Sequence, residues 1–165
     1  MMEKSLTLND GRTIKIRQLS SEDDRELTDM FREMSEETTK GVKIPSEEEL
    51  FQKFRFPDYF ISIVLEHNEK IVGYGEIMKD PKKENGELQI VINQGYQGVG
   101  LGTALMIMML KEATDQGIRR INLEVSSDNR VAIHLFRKFG FQQEEDVKGS
   151  KISSETLHFS RILNK

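Results

Sequence analysis

Hydrophobic and polar positions along this chain change period several times, and each change marks an element. Ser5 to Leu8 and Thr13 to Arg17 alternate around Asn9-Asp10-Gly11, a turn that tolerates positive φ and predicts a β-hairpin. Beyond Ser20 or Ser21, either suited to cap a helix, Leu27, Met30, Phe31 and Met34 share one helical face. Pro45-Ser46-Glu47 opens a shorter helix through Phe54. Ile61–Glu66 and Ile71–Met78 read as a hairpin around His67 to Lys70, and period two returns in Glu87–Asn93 after a polar loop. An apolar helix follows from Leu101 to Ala113 and ends near Gly117, a natural C-cap. Arg120–Ser126 reads as a strand, and Asp128 as the cap of a helix that Gly140 terminates. Closing strands fall near Phe141–Val147 and Ile152–Leu163. The order ββααβββαβαββ predicts a mixed α/β (α+β-like) domain. Without a repeat, linker or low-complexity tract, residues 1–165 read as one domain.

The turn between the strand at Glu87 and the helix at Leu101 carries the strongest chemical signal. It reads Tyr96-Gln97-Gly98-Val99-Gly100-Leu101-Gly102. Backbone N–H groups converge at such a helix start, and the helix dipole adds partial positive charge. Glycines let an anion reach those donors, so a phosphate is the expected ligand. A P-loop requires Gly-Lys-Ser/Thr, whereas Gly102 is followed by Thr103 and Ala104. A dinucleotide fingerprint requires G-x-G-x-x-G, and the step here is wrong, although Glu124 lies near the distance of a ribose-binding acid. Taken alone, the loop leaves its ligand open.

A second motif narrows the choice: Asn129-Arg-Val-Ala132-Ile-His-Leu135-Phe136-Arg-Lys138-Phe-Gly140-Phe141. Together with Gln97-x-x-Gly100-x-Gly102 it resembles the paired cofactor motifs of the GNAT acetyltransferases, over roughly residues 12 to 145. The resemblance implies the GNAT fold, a mixed and mostly antiparallel sheet flanked by helices. It also implies acetyl-CoA as cosubstrate, with no metal. Gln97, Gly98, Val99, Gly100 and Gly102 would wrap the pyrophosphate, with Asn129 beside the pantetheine arm. The main chain of Val91 would stabilise the oxyanion, and Asn93 would pair with pantetheine. Glu87, ten residues before Gln97, matches the catalytic glutamate of several protein acetyltransferases in the family. Phe136 departs from the pattern, since the usual Tyr there protonates the departing thiolate. A thiol of pKa ~8.5 is a tolerable leaving group without an acid. Tyr96 and Tyr74 are the other hydroxyls to consider. The front segment Leu8–Arg17 with Ser20-Ser-Glu-Asp23 is similar to protein lysine acetyltransferases of the Pat type.

Residue chemistry supports the same base. Alternation puts Leu88, Ile90 and Ile92 on one face and Glu87, Gln89, Val91 and Asn93 on the other. Two polar residues on a strand that feeds a ligand loop fit a watered substrate cleft, or else a solvated face. An amine acceptor with pKa ~10.4 must lose a proton before it attacks, and a carboxylate in the cleft can take it. Glu76 on the preceding strand competes with Glu87 for that role.

Composition removes other classes. With no cysteine among 165 residues, the chain has neither a disulfide framework nor a thiol nucleophile, so direct transfer in a ternary complex is expected. A net charge of −4 and pI near 5.5 disfavour nucleic acid. The start lacks a signal-peptide core and no apolar run spans a membrane, so a cytoplasmic protein is expected. His67, His134 and His158 lack metal-ligand spacing, and Met106, Met108 and Met109 read as core. Acid is concentrated between Glu22 and Glu49, either a solvated face or the rim of a site for a cationic acceptor such as a polyamine, a small amine or a protein lysine. Dimers are frequent in the family, so a homodimer is admissible. The rival of another class is a non-catalytic coenzyme A-binding module or sensor, motivated by Phe136.

Overall fold

The computed structural model describes residues 3–34, 44–144 and 156–163. Within them, strands β1 Lys4–Thr7, β2 Thr13–Gln18, β3 Phe60–His67, β4 Lys70–Lys79, β5 Asn85–Ile92, β6 Arg120–Ser126, β7 Gln142–Gln143 and β8 Thr156–Ile162 form one sheet. The helices are α1 Asp24–Glu33, α2 Glu47–Arg55, α3 Leu101–Asp115 and α4 Arg130–Lys138. The chain order is therefore the ββααβββαβαββ expected from the sequence. Spatially the strands run β1-β2-β3-β4-β5-β6-β8-β7, antiparallel throughout except for the parallel pair β5–β6. Of the expected closing strands, the first ends at Gln143, the second is described from Thr156, and residues 145–155 lie outside the described part.

Two apolar cores sandwich the sheet, because central strands carry side chains to both faces. On one face Leu101, Leu105, Met106, Met109 and Ala113 of α3 and Phe136 of α4 meet Ile63, Leu65, Ile77 and Leu88. The methionines of α3 are core, as their spacing suggests. On the other face Leu27, Met30 and Phe31 of α1 and Leu50 of α2 cover Val64, Tyr74 and Val91. Helix α4 is capped by Asn129, whose Oδ1 accepts from Ala132 N–H at 3.2 Å. Asp128, the residue expected there, instead accepts from the Ser126 hydroxyl at 2.5 Å. No described helix is long and apolar enough to cross a membrane.

One charged cluster fixes α1 to the sheet. Arg17 on β2 donates to both Asp23 oxygens, at 2.7 and 2.8 Å, and to Glu66 on β3 at 2.9 Å. Asp23 also accepts from the Ser20 N–H at 2.6 Å, closing a capping box. Burial alone would raise the Asp23 pKa, but the hydrogen bonds from Arg17 and Ser20 outweigh it and hold this carboxyl below the usual aspartate range. Arg17→Ala is expected to cost about 2 kcal/mol of unfolding free energy, since it leaves a buried carboxylate unpaired. A depressed native pKa stabilises above the unfolded value of about 3.9 and is lost as pH falls below it. Urea unfolding at neutral and acid pH should therefore show the variant's deficit shrinking below about pH 4.

Candidate active site

Strand β5 organises the site because it does three different things along its length. Its first part pairs with β6 in parallel, through Asn85, Gly86 and Glu87 against Arg120, Ile121 and Asn122. Beyond that point the two strands separate, while β6 stays paired to β8 as far as Ser126. A seam opens in the middle of the sheet.

Which main-chain groups face the seam follows from the regular β4–β5 ladder. Asn93 N–H donates to Val72 O at 2.9 Å, and Asp80 N–H donates to Asn85 O at 2.8 Å. Alternation then turns Glu87, Gln89, Val91 and Asn93 toward β4. On the opposite side, Arg119 N–H donates to Glu84 O at 2.7 Å. Past the paired stretch, the main chains of Ile90 and Ile92 point into the seam. Val91 and Asn93, the positions expected to meet a cofactor, are thus turned away. Val91 packs its side chain into the second core, and the Asn93 carbonyl accepts from Tyr96 N–H at 2.8 Å. A strand has period two, so an offset of one residue reverses direction.

The glycine loop leaves the end of β5 at the mouth of this seam. Gly98 and Gly100 have φ of +75° and +87°, and a Cβ on either would meet nothing within 4 Å. The cradle is open because the backbone is left-handed, a conformation glycine adopts without penalty. Gly100 is the N-cap of α3, and the first intrahelical bond runs from Ala104 N–H to Gly100 O. The N–H groups of Leu101, Gly102 and Thr103 therefore have no partner in the preceding turn and point out of the helix end. Gly102 serves packing as well, because a Cβ there would lie 3.2 Å from Leu135 of α4. Gln97 spends its side chain on the loop itself, donating from Nε2 to Ile92 O at 2.9 Å. Val99 is exposed at the loop's tip. Asn129 stands at the end of β6, across the seam, and caps α4 with its carboxamide oxygen.

On the face away from α3 lies a cleft of about 230 Å³. Its charged lining is Glu49 and Lys53 from α2, Glu76 from β4, Glu87 from β5 and Glu124 from β6. Pro45, Phe60, Met78 and Leu88 supply apolar surface. Glu76 is already engaged: its Oε2 accepts from Tyr74 Oη at 2.6 Å and lies 3.0 Å from Lys53 Nζ. Glu124 stands 3.6 Å from His158 Nδ1. Glu87 is exposed, and its carboxylate makes no hydrogen bond or ion pair with any described residue. Of the acidic stretch 22–49, the cleft receives only Glu49 among the described residues. Glu36 and Glu37 lie outside them. Sequence reasoning missed Lys53 and Glu124 as cleft residues. Lys53 follows Glu49 at the i,i+4 helical spacing, a signal that could have placed it on the same face.

The two hydroxyls considered as acids, Tyr74 and Tyr96, are both engaged by other side chains, and Phe136 has none to offer. Phe136 is buried, its ring 5.9 Å from that of Phe141. Burial first, and then the Glu76 carboxylate, push the Tyr74 hydroxyl well above the ordinary tyrosine range, which makes it a poor donor to a thiolate. Tyr96 Oη pairs with His67 Nδ1 at 2.6 Å, and its ring carries the Arg12 guanidinium at 4.6 Å. Among the described residues no group of three His, Cys, Asp or Glu could hold a metal ion.

Known proteins with the same features were found by sequence and by structure. An uncharacterized N-acetyltransferase of Methanocaldococcus jannaschii is 34% identical over 92 residues, 52% of this chain and 41% of that protein. The chain thus spans less than half the length of that curated relative. The GNAT domain of a Streptomyces lividans PAT superposes with a TM-score of 0.81 at 18% identity, covering 98% of this chain and 97% of that one. Spermidine N-acetyltransferase from Vibrio cholerae, solved with CoA and spermine, superposes at 0.70 with 22% identity, covering 90% and 95%. These two likenesses establish the fold. The model of the acetyltransferase (GNAT) family matches residues 27–141, a span that takes in β5, the seam, the glycine cradle and the capped helix beyond it, and by that match the chain belongs to the GNAT acetyltransferase family.

Proposed function

We propose that this protein transfers an acetyl group from acetyl-CoA to a primary amine held in the acidic cleft, by direct transfer. The observation that carries the reading is that β5 ends in an anion cradle, borders the open seam and sends Glu87 into the cleft. Acetyl-CoA fits these surroundings: its pyrophosphate matches the N–H groups from Gly98 to Thr103, and its amide-bearing arm matches an unpaired strand edge. The cosubstrate supplies an activated acetyl thioester. The main chains of Ile90 and Ile92 are the groups able to donate to a developing oxyanion, without reorganisation at the moment of reaction. Four carboxylates against one lysine favour a cationic acceptor, which enters as an ammonium. Glu87 is the base, because Glu76 is held by Lys53 and Tyr74 and Glu87 is not.

The buried Phe136 favours a second reading, a module that binds coenzyme A without turnover. Thermal unfolding with acetyl-CoA, CoA, NAD and ATP tests the cofactor directly. At about 100 times its dissociation constant a ligand stabilises by roughly 2.7 kcal/mol, several degrees for a domain of this size. A shift with acetyl-CoA and CoA alone is expected, whereas a shift only with NAD or ATP would overturn both readings. Thiol release with an amine present then separates enzyme from module.

A further inference from the structure

Lys53 is the one described lysine that is buried, at 6% exposure, in a class of residue rarely buried unless paired. Its ammonium lies 3.0 Å from Glu76 Oε2 and 5.2 Å from the centre of the Phe60 ring. A primary amine therefore already occupies the acceptor cleft, with a proton acceptor at hydrogen-bond distance. Glu76 is the register partner of Gln89, and Gln89 adjoins Ile90, whose main chain faces the seam. Neighbouring strands are about 5 Å apart, so the flexible lysine stem needs only a short swing to reach the seam.

We propose that Lys53 is an internal acceptor, so that without an external amine the protein acetylates itself at this residue. The inference rests on the reading of the cleft as an acetyl-transfer site. Glu76 takes one proton from the Lys53 ammonium. The neutral Nζ forms a bond to the acetyl carbonyl carbon while the thioester C–S bond breaks. The second nitrogen proton leaves with the sulfur as coenzyme A thiol, and Glu76 returns its proton to solvent. Tethering makes the step unimolecular, which offsets the poor nucleophilicity of a paired ammonium. The product is a neutral amide that leaves Glu76 without its cation and fills part of the cleft, so modification closes the site to other amines.

Burial makes the outcome diagnostic. A reagent acting from solvent, such as acetyl phosphate, meets exposed lysines like Lys82 and Lys111 first and Lys53 last. The test is to incubate the full chain with acetyl-CoA and no amine, then map acetylation by peptide mass spectrometry. One acetyl group at Lys53 is expected, at a rate unchanged on dilution of the protein, and Lys53→Arg should abolish it. Glu76→Gln keeps the lysine and should slow modification at least about tenfold. Acetylation spread over exposed lysines, or an unmodified Lys53 in a protein that acetyl-CoA stabilises against heat, overturns this proposal alone. An unmodified Lys53 with no thermal shift overturns the acetyl-transfer reading along with it.

Discussion

Replacing Glu87 with glutamine is expected to lower kcat/KM for an aliphatic amine by about a hundred- to ten-thousand-fold, the usual contribution of a positioned base. That range corresponds to about 2.7–5.4 kcal/mol of transition-state stabilisation. Glutamine keeps the length and polarity of the side chain but cannot take a proton. Because the Glu87 side chain is exposed and bonded to no described residue, the change should leave the fold and the thermal shift with acetyl-CoA intact. The acceptor supplies a sharper control. An amine already neutral at the working pH needs no base, so its rate should fall far less than that of an alkylammonium. Equal losses for both kinds of acceptor would remove Glu87 from the proton path and leave it a binding residue. Glu76→Gln should behave differently, because it unpairs the buried Lys53 and Tyr74 and so registers in stability as well as in rate.

The fold was legible in the sequence wherever the hydrophobic period was strong. Leu27, Met30, Phe31 and Met34 placed α1, since that pattern must bury one face, and the apolar runs Ile61–Glu66 and Ile71–Met78 around His67 to Lys70 placed the central hairpin, which is buried on both faces. The glycine loop was legible for another reason: left-handed turns at a helix start leave few residues to choose from. Two aspects of the site were not. The direction in which a main chain points leaves no trace in side-chain chemistry, so the sequence could not show that Ile90 and Ile92, and not Val91 and Asn93, face the seam. Convergence was also hidden. Glu76 and Glu87 could be read as rivals from adjoining strands, but Glu124 joins them from β6, and nothing local marks it as their neighbour. Lys53 was concealed by its surroundings, because a lysine on a short charged helix has the same pattern as a solvated one. Position 136 was legible as a departure from the family pattern, and the Phe side chain there packs against Phe141.

Gly100→Val should weaken acetyl-CoA binding by about a hundredfold, close to 3 kcal/mol, the worth of one or two charge-assisted hydrogen bonds. Two effects combine. At φ +87° a β-branched residue is strained by about 1–3 kcal/mol, and relief of that strain would turn the first N–H groups of α3 away from the anion. The side chain would also stand in the space that now lets a phosphate approach. A synthetic acyl donor tells these effects from a general loss of folding. S-acetylpantetheine lacks the pyrophosphate, so its KM should be nearly the same in the variant and the parent protein while the KM for acetyl-CoA rises. If both donors suffer alike, the glycine is serving the shape of the seam and not the anion. The same pair of donors applied to Gly98→Val would show whether the cradle has two independent points of contact. Losses that add in the double variant mean separate hydrogen bonds, and losses that do not add mean a single loop conformation that either substitution destroys.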